Sequence, residues 1–253
     1  MEWKQDAPQL KEAIARKGYL VLRGFMRGAE AQEINRQIER YIADVLPTLP
    51  ENEAFYEVKN DPQAIMRLQN MCGNDAFFKQ MSTSEHFVEL SEFLMQDQVV
   101  GKPLQWFNKP ARVGKVTPPH QDGFYFMLEP NEALTLWLAL DKIDAENGCL
   151  RFVPGSRWEE MRPHQRSNVL GFSQGITDYG PADYQNEVAI CAEPGDLIVH
   201  HCMTIHRADA NPSERPRRAL GVVYYAQRAK KDEERAEAYR KTLFAAWERE
   251  GKL

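Results

Sequence analysis

The stretch 117-TPPHQDGFYF-126 sets a histidine and an aspartate, His120 and Asp122, two positions apart in a run that closes on three aromatic residues. Such a run reads as a buried strand. In a strand, residues i and i+2 point to one face, so this reading projects His120 and Asp122 together and turns Gln121 away. A neutral imidazole nitrogen and an anionic carboxylate oxygen on one face can share a metal ion. Standing alone, H-x-D is more often a strand histidine hydrogen-bonded to a neighbour, so the rest of the chain has to decide.

The same β-rich character surrounds the stretch. From Gln98 onward the runs VVGKPLQWFNK, HQDGFYFML, ALTLWLAL, CLRFVPGS, NEVAICAEPGD, LIVHHCMTIH and RRALGVVYYAQ follow one another, the spacing of a closed or folded-over antiparallel sheet. Asn147-Gly148, Pro154-Gly155-Ser156 and Pro194-Gly195-Asp196 supply turns between them. Upstream, Asp6 can cap a helix through Leu10, Ala13 and Ile14 that stops near Gly18. YLVLRGFM then reads as a short buried strand, and Ile34, Ile38, Tyr41, Ile42, Val45 and Leu46 recur at helical spacing until Pro47 and Pro50. Residues 51–95 read as mostly helical and irregular, with Ser84 as a helix cap. In the tail, Ala236, Tyr239, Leu243 and Trp247 fall on one helical face. The expected organisation is a single domain over 1–253: a mostly helical part over 1–97, a β core over 98–228 and a C-terminal helix over 229–253.

Composition narrows the function classes. A chain of 253 residues, 43% hydrophobic and 27% charged, can bury a sizeable core. A net charge of -5 with interspersed signs gives a polyanion nothing to bind, which argues against a nucleic-acid partner. Cys72, Cys149, Cys191 and Cys202 are scattered without a C-x-x-C pair, pointing to a reducing, cytoplasmic setting rather than a disulfide framework or structural zinc. No apolar run suits a signal peptide or a bilayer span, so no membrane association is expected. The C-terminal Gly251-Lys252-Leu253 resembles a peroxisomal address but lacks its small hydroxyl residue, and reads as a helix end. The expected partner is a small-molecule substrate, with the chain a monomer or homodimer.

A second histidine would complete a two-His-one-carboxylate group, which leaves adjacent coordination positions open for O2 beside a bidentate cosubstrate. GDLIVHHCMTIHRADANPSERPRRAL offers His200, His201 and His206, followed by Arg215, Arg217 and Arg218. A guanidinium can grip a carboxylate with two parallel hydrogen bonds. Residue type alone does not choose among the three histidines, and His200 shares the parity of His206 if the strand is unbroken. Nor does it choose among the arginines.

The order HQD, LTLWLALDKIDAENGCLRFVPGS, EPGDLIVHH, IHRADANPSERPRRAL resembles the phytanoyl-CoA dioxygenase family of Fe(II)/2-oxoglutarate oxygenases, over roughly Tyr19 to Gln227. The resemblance implies a mainly β fold with peripheral α elements, a double-stranded β-helix (jelly-roll, cupin-like) with flanking helices. It implies Fe(II), 2-oxoglutarate and O2 as cofactors, and His120, Asp122 and His206 as metal ligands. His200 and His201 become core or supporting imidazoles. Arg217, eleven positions after His206, is implied to bind the distal carboxylate of 2-oxoglutarate, with Arg215 and Arg218 solvated or structural. Trp137 falls near a tryptophan that lines the cosubstrate pocket in the family. Thr135 shares its face and could donate a hydrogen bond there, although core packing explains both residues as well. Ala208 stands where some members carry a hydroxyl, which points to Thr204, Gln105 or Asn108 for that contact. The implied reaction is hydroxylation of a small organic substrate with release of succinate and CO2, and retention of Asp122 disfavours a halide site. Two alternatives stay open: a cupin-like metal-dependent isomerase or lyase without 2-oxoglutarate, and a non-catalytic small-molecule-binding barrel. The long connection between Ser156 and Asn186 is expected to be a lid, a substrate loop or a decorated surface loop.

Overall fold

The computed structural model describes residues 2–58, 61–169 and 172–249. Helix α1 (Ala7–Lys17) buries Leu10 and Ile14 and stops at Gly18, which takes a left-handed φ of 84°. Asp6 stands at its start without making a side-chain cap bond. After β1 (Tyr19–Leu22), α2 (Gly28–Arg40) buries Ile34 and Ile38 and runs on through a wider turn over Tyr41–Val45 to Pro47.

The stretch read as mostly helical in fact carries two strands, β2 (Ala54–Tyr56) and β3 (Ile65–Leu68), before α3 (Met71–Asn74), α4 (Ala76–Ser82) and α5 (Glu85–Met95). Both strands are too short to show a period, and β3 is fixed by a partner 40 residues on, Arg67 opposite Phe107. Ser84, like Asp6, precedes its helix without a side-chain cap bond.

The β core follows in the order β4 (Val99–Gly101), β5 (Gln105–Lys109), β6 (Thr117–His120), α6 (Gly123–Phe126), β7 (Leu128–Glu129), β8 (Ala133–Ala139) and β9 (Leu150–Phe152). Then come β10 (His164–Val169), β11 (Phe172–Ile176), α7 (Pro181–Asn186), β12 (Val188–Ile190), β13 (Leu197–His201), β14 (His206–Ala208), β15 (Arg217–Ala226), β16 (Lys230–Lys231) and α8 (Glu233–Arg249). The major sheet runs β1-β13-β8-β15-β5-β3-β2, with β4 also on β15, and the minor sheet runs β12-β9-β14-β6; all their pairings are antiparallel.

Strand β8 shows how the layers form. All seven of its residues are buried. Leu134, Leu136 and Leu138 pack with Leu10, Ile34, Leu90 and other helix residues, while Trp137 and Ala139 pack with Leu150, Phe152 and Ile190 of the minor sheet. A strand covered on both faces is a continuous apolar run, as ALTLWLAL is. The result is the jelly-roll expected from the sequence: helices cover one face of the major sheet, the minor sheet covers the other, and a cavity is lined by residues of both sheets.

LIVHHCMTIH, read as one strand, is two: β13 belongs to the major sheet and β14 to the minor one. The crossing is pinned by Thr204, whose hydroxyl donates to the Gly18 carbonyl at 2.8 Å. A Cβ on Gly18 would stand 2.3 Å from that hydroxyl oxygen. The long connection after Ser156 is a β10–β11 hairpin plus α7; its residues 170 and 171 lie outside the described residues. Tyr125 Oη donates to the Gln174 carbonyl at 2.9 Å and ties the hairpin to α6. On α8, Tyr239 meets Phe124 edge-on, while the side chains of Leu243 and Trp247 and residues 251–253 lie outside the described residues.

Candidate metal centre and cosubstrate cavity

Strand β6 ends at His120, and the chain does not stay extended. Asp122 takes helical angles (φ -57°, ψ -32°) and heads α6, its carbonyl accepting the Tyr125 and Phe126 N–H groups at 2.9 and 3.1 Å. His120 and Asp122 therefore converge through a strand-to-helix turn, which corrects the expectation of strand alternation. Gly123 allows it, since a Cβ there would lie 3.0 Å from Asn131 Oδ1 and 3.1 Å from Met203 Sδ.

His206 sits opposite His120 in the β14–β6 pairing. His120 Nε2 is 3.5 Å and His206 Nε2 is 3.8 Å from Asp122 Oδ1, and ligand atoms of the three residues lie within 4.8 Å of one another. Each of these rings is oriented by its other nitrogen: His120 Nδ1 is 2.8 Å from the Pro118 carbonyl, and His206 Nδ1 is 3.0 Å from that of Thr204. A carbonyl only accepts, so in both rings Nδ1 carries the proton and the Nε2 lone pair is turned toward Asp122 Oδ1. Burial pushes the Asp122 carboxyl up, but His206, His120 and His200 outweigh it and hold the group well below the usual carboxylate range. Burial, helped by His120 and His200, pushes His206 well down. An ionised carboxylate beside a neutral imidazole is the pair of states that a divalent cation requires.

The other two histidines are not among the three grouped ligands, although His200 touches one of them. His200 Nε2 lies 3.1 Å from the second oxygen of Asp122, Oδ2, and His201 Nε2 lies 3.4 Å from Glu132 Oε2. The Thr135 hydroxyl also goes to Asp122 Oδ2, at 2.8 Å.

The triad lines a cavity of about 230 Å³, whose walls also include Arg217, Trp137, Lys109, Phe107, Asn108 and Arg67. Arg217 opens β15 opposite Lys109 and is 4% exposed, its guanidinium 5.1 Å over the Trp137 ring. Its Nε is buried without a hydrogen-bond partner, and burial lowers its pKa to about 10. Arg215 and Arg218 point elsewhere, to Asp144 at 2.9 Å and to Asp141 at 2.8 Å. The buried Lys109 ammonium donates to the Lys115 carbonyl, and burial, then Arg217, lower its pKa to about 7.

Of the three residues named for the missing hydroxyl at Ala208, Thr204 is committed to Gly18. Gln105 and Asn108 line the cavity; Asn108 Nδ2 donates to the Ile65 carbonyl at 2.8 Å, leaving Oδ1 buried without a partner. Lys109, a residue type that on such a strand reads as a solvated side chain, is instead buried in the cavity wall, and Arg67 was missed as a cavity residue. Arg67 lies over the Phe55 and Phe107 rings at 5.3 and 5.9 Å and reaches the site only through the β3–β5 pairing, which no local signal announces.

A jelly-roll whose two histidines and carboxylate line a cavity fits one class, the non-haem iron oxygenases. Within that class the chain belongs to the phytanoyl-CoA dioxygenase family, whose model matches residues 14–219, and it is an enzyme. It is 29% identical over 230 residues to a probable phytanoyl-CoA dioxygenase of Caenorhabditis elegans, covering 83% of this chain and 72% of that one. It is 26% identical over 221 residues to the peroxisomal phytanoyl-CoA dioxygenase of Rattus norvegicus, covering 82% of this chain and 64% of the relative's length. Among solved structures, the epimerase SnoN in complex with Fe3+, alpha ketoglutarate and nogalamycin RO superposes with a TM-score of 0.71 at 22% identity, covering 90% and 86% of the two chains. EctD from S. alaskensis with 2-oxoglutarate and 5-hydroxyectoine gives 0.70 at 20% identity, covering 86% and 75%. These likenesses bear out the expected fold. Among the described residues, no helix is long and apolar enough to cross a membrane.

Proposed function

We propose that the protein is an Fe(II)- and 2-oxoglutarate-dependent dioxygenase that hydroxylates a small organic substrate with release of succinate and CO2. The observation that carries this reading is the buried Arg217, its Nε unpartnered, in the same cavity as the triad. A buried cation of this kind is costly unless an anion completes it, and a dicarboxylate that also reaches the metal does so.

The residues fit both groups. His120 Nε2, His206 Nε2 and Asp122 Oδ1 would hold the iron, and Arg217, backed by Trp137, would hold the distal carboxylate of 2-oxoglutarate. Bound iron and cosubstrate supply the oxygen activation and the oxidising power for a C–H bond. The protein contributes position and environment: the backbone carbonyls of Pro118 and Thr204 fix the imidazoles, and Arg217 sets the depth of the cosubstrate. Phe107, Leu150 and Val223 give the cavity apolar wall that excludes water. Asp122 keeps the position that a halide would need. The unpaired cysteines favour a reducing, cytoplasmic setting.

Anaerobic titration of the protein with Fe(II) and 2-oxoglutarate tests the reading. A weak visible charge-transfer band is expected, lost in His206→Ala and weakened in Arg217→Ala, and Asp122→Ala abolishes turnover. Metal binding without the band favours the barrel that works without 2-oxoglutarate. Near-normal hydroxylation by Asp122→Ala refutes the ligand assignment.

A further inference from the structure

We propose that Thr135 and His200 form a two-donor clamp on Asp122 that keeps its carboxylate a one-oxygen ligand. The inference rests on the reading of His120, Asp122 and His206 as the metal ligands.

The two oxygens of Asp122 have separate surroundings. Oδ1 faces the Nε2 atoms of His120 and His206, at 3.5 and 3.8 Å. Oδ2 accepts the Thr135 hydroxyl at 2.8 Å and has His200 Nε2 at 3.1 Å. An ionised carboxylate only accepts hydrogen bonds, so His200 must carry its proton on Nε2. Its Nδ1 is then a bare acceptor, and that atom is buried without a hydrogen-bond partner.

This is the reverse of the other two rings. His120 and His206 have Nδ1 anchored to backbone carbonyls and Nε2 facing Asp122 Oδ1 without a proton, although the His206 ring centre is only 4.2 Å from that of His120 and 4.5 Å from that of His200. Three adjacent imidazoles therefore divide into two ligands and one donor. A His200 Nε2 that donates to Asp122 has no lone pair there for the metal.

The clamp is built on rigid elements. Thr135 and His200 are directly opposite in the β8–β13 pairing, in the middle of the major sheet, and are 6% and 2% exposed. Asp122 belongs to a short turn, so the sheet positions the turn. The chemical consequence concerns coordination number. Three protein atoms leave three adjacent positions, two for a 2-oxo acid and one for O2. A carboxylate swung to bind through both oxygens would occupy the last of them; with Oδ2 held by two donors, that swing costs both hydrogen bonds.

Cobalt(II), a spectroscopic substitute for Fe(II), gives readouts independent of turnover: dissociation constant and visible d–d spectrum, with and without 2-oxoglutarate. Thr135→Val removes one donor at constant shape and His200→Phe the other; each is expected to raise the Co(II) Kd roughly tenfold or more and to alter the d–d spectrum. Thr135→Ser and His200→Gln each restore a donor and are expected to return both readouts most of the way. Wild-type affinity and spectrum in folded Thr135→Val and His200→Phe overturn the clamp, as does a Thr135→Ser variant no better than Thr135→Val. Failure of the ligand reading looks different: Asp122→Ala would bind Co(II) as tightly as the wild type.

Discussion

Replacing Arg217 by methionine should stabilise the ligand-free protein while damaging cosubstrate binding. Arg217 is 4% exposed, and burial lowers its pKa from the ordinary 12.5 to about 10. At 1.36 kcal/mol per pH unit, holding that charge in the folded state costs about 3 kcal/mol at neutral pH. Its stack on Trp137, at 5.1 Å, returns about 0.5–2 kcal/mol of this. Methionine fills most of the same volume without a charge, so Arg217→Met should gain on the order of 1–2 kcal/mol in urea unfolding of the apo-protein. Truncating a buried, hydrogen-bonded charge pair typically costs about 2–5 kcal/mol, so the 2-oxoglutarate Kd of the Co(II)-loaded protein, read by calorimetry, should rise by roughly 30-fold to several thousand-fold. The two effects must have opposite signs. An apo-variant less stable than wild type, with a Kd within about threefold of it, would mean that Arg217 serves the fold, and the cosubstrate assignment would fall.

Lys109 gives a pH test. Burial, then Arg217, lower its pKa from 10.5 to about 7 while Glu57 and Asp209 oppose the shift. The folded protein therefore binds fewer protons than the unfolded chain between about pH 7 and 10.5, so stability rises with pH across that window and the whole penalty, on the order of 5 kcal/mol, is present below it. The stability advantage of Lys109→Met should shrink as pH rises from 7 to 9.5, with a slope approaching 1.4 kcal/mol per unit; parallel unfolding curves would exclude a neutralised lysine. Gly195→Ala tests the turn at the start of β13. Gly195 has a φ of 96°, and a Cβ there would stand 2.1 Å from the Met26 carbonyl oxygen. A loss of about 3 kcal/mol, seen as a fall in Tm of roughly 6–12 °C, is expected; an unchanged Tm would mean that the Met26 loop moves aside at no cost.

Residue type leaves three histidines and three arginines open as candidates and the family resemblance chooses among them, while the geometry of the site is not legible, and the reason lies in what a local pattern records. ALTLWLAL is legible as a strand covered on both sides because every one of its residues is apolar or small, and the glycines at 18 and 195 mark ends because only glycine takes those φ values cheaply. Periodicity says which face a side chain occupies and is silent about which sheet holds the strand. LIVHHCMTIH reads as one run, yet it changes sheets at Thr204, whose anchor is the carbonyl of Gly18 at the far end of the chain. That crossing undoes the parity argument by which His200 matched His206. The same limit explains Arg67, which enters the cavity by pairing with Phe107, and Asp122, which leaves the strand pattern for a helical turn. A triad that must aim three atoms at one point draws on strand ends and turns, where the chain departs from its period. His120 and Asp122 were thus paired by a strand rule that the site does not obey. What brings their ligand atoms together is the turn at Gly123, and Thr135 and His200, in the regular sheet beyond, then hold the carboxylate in place.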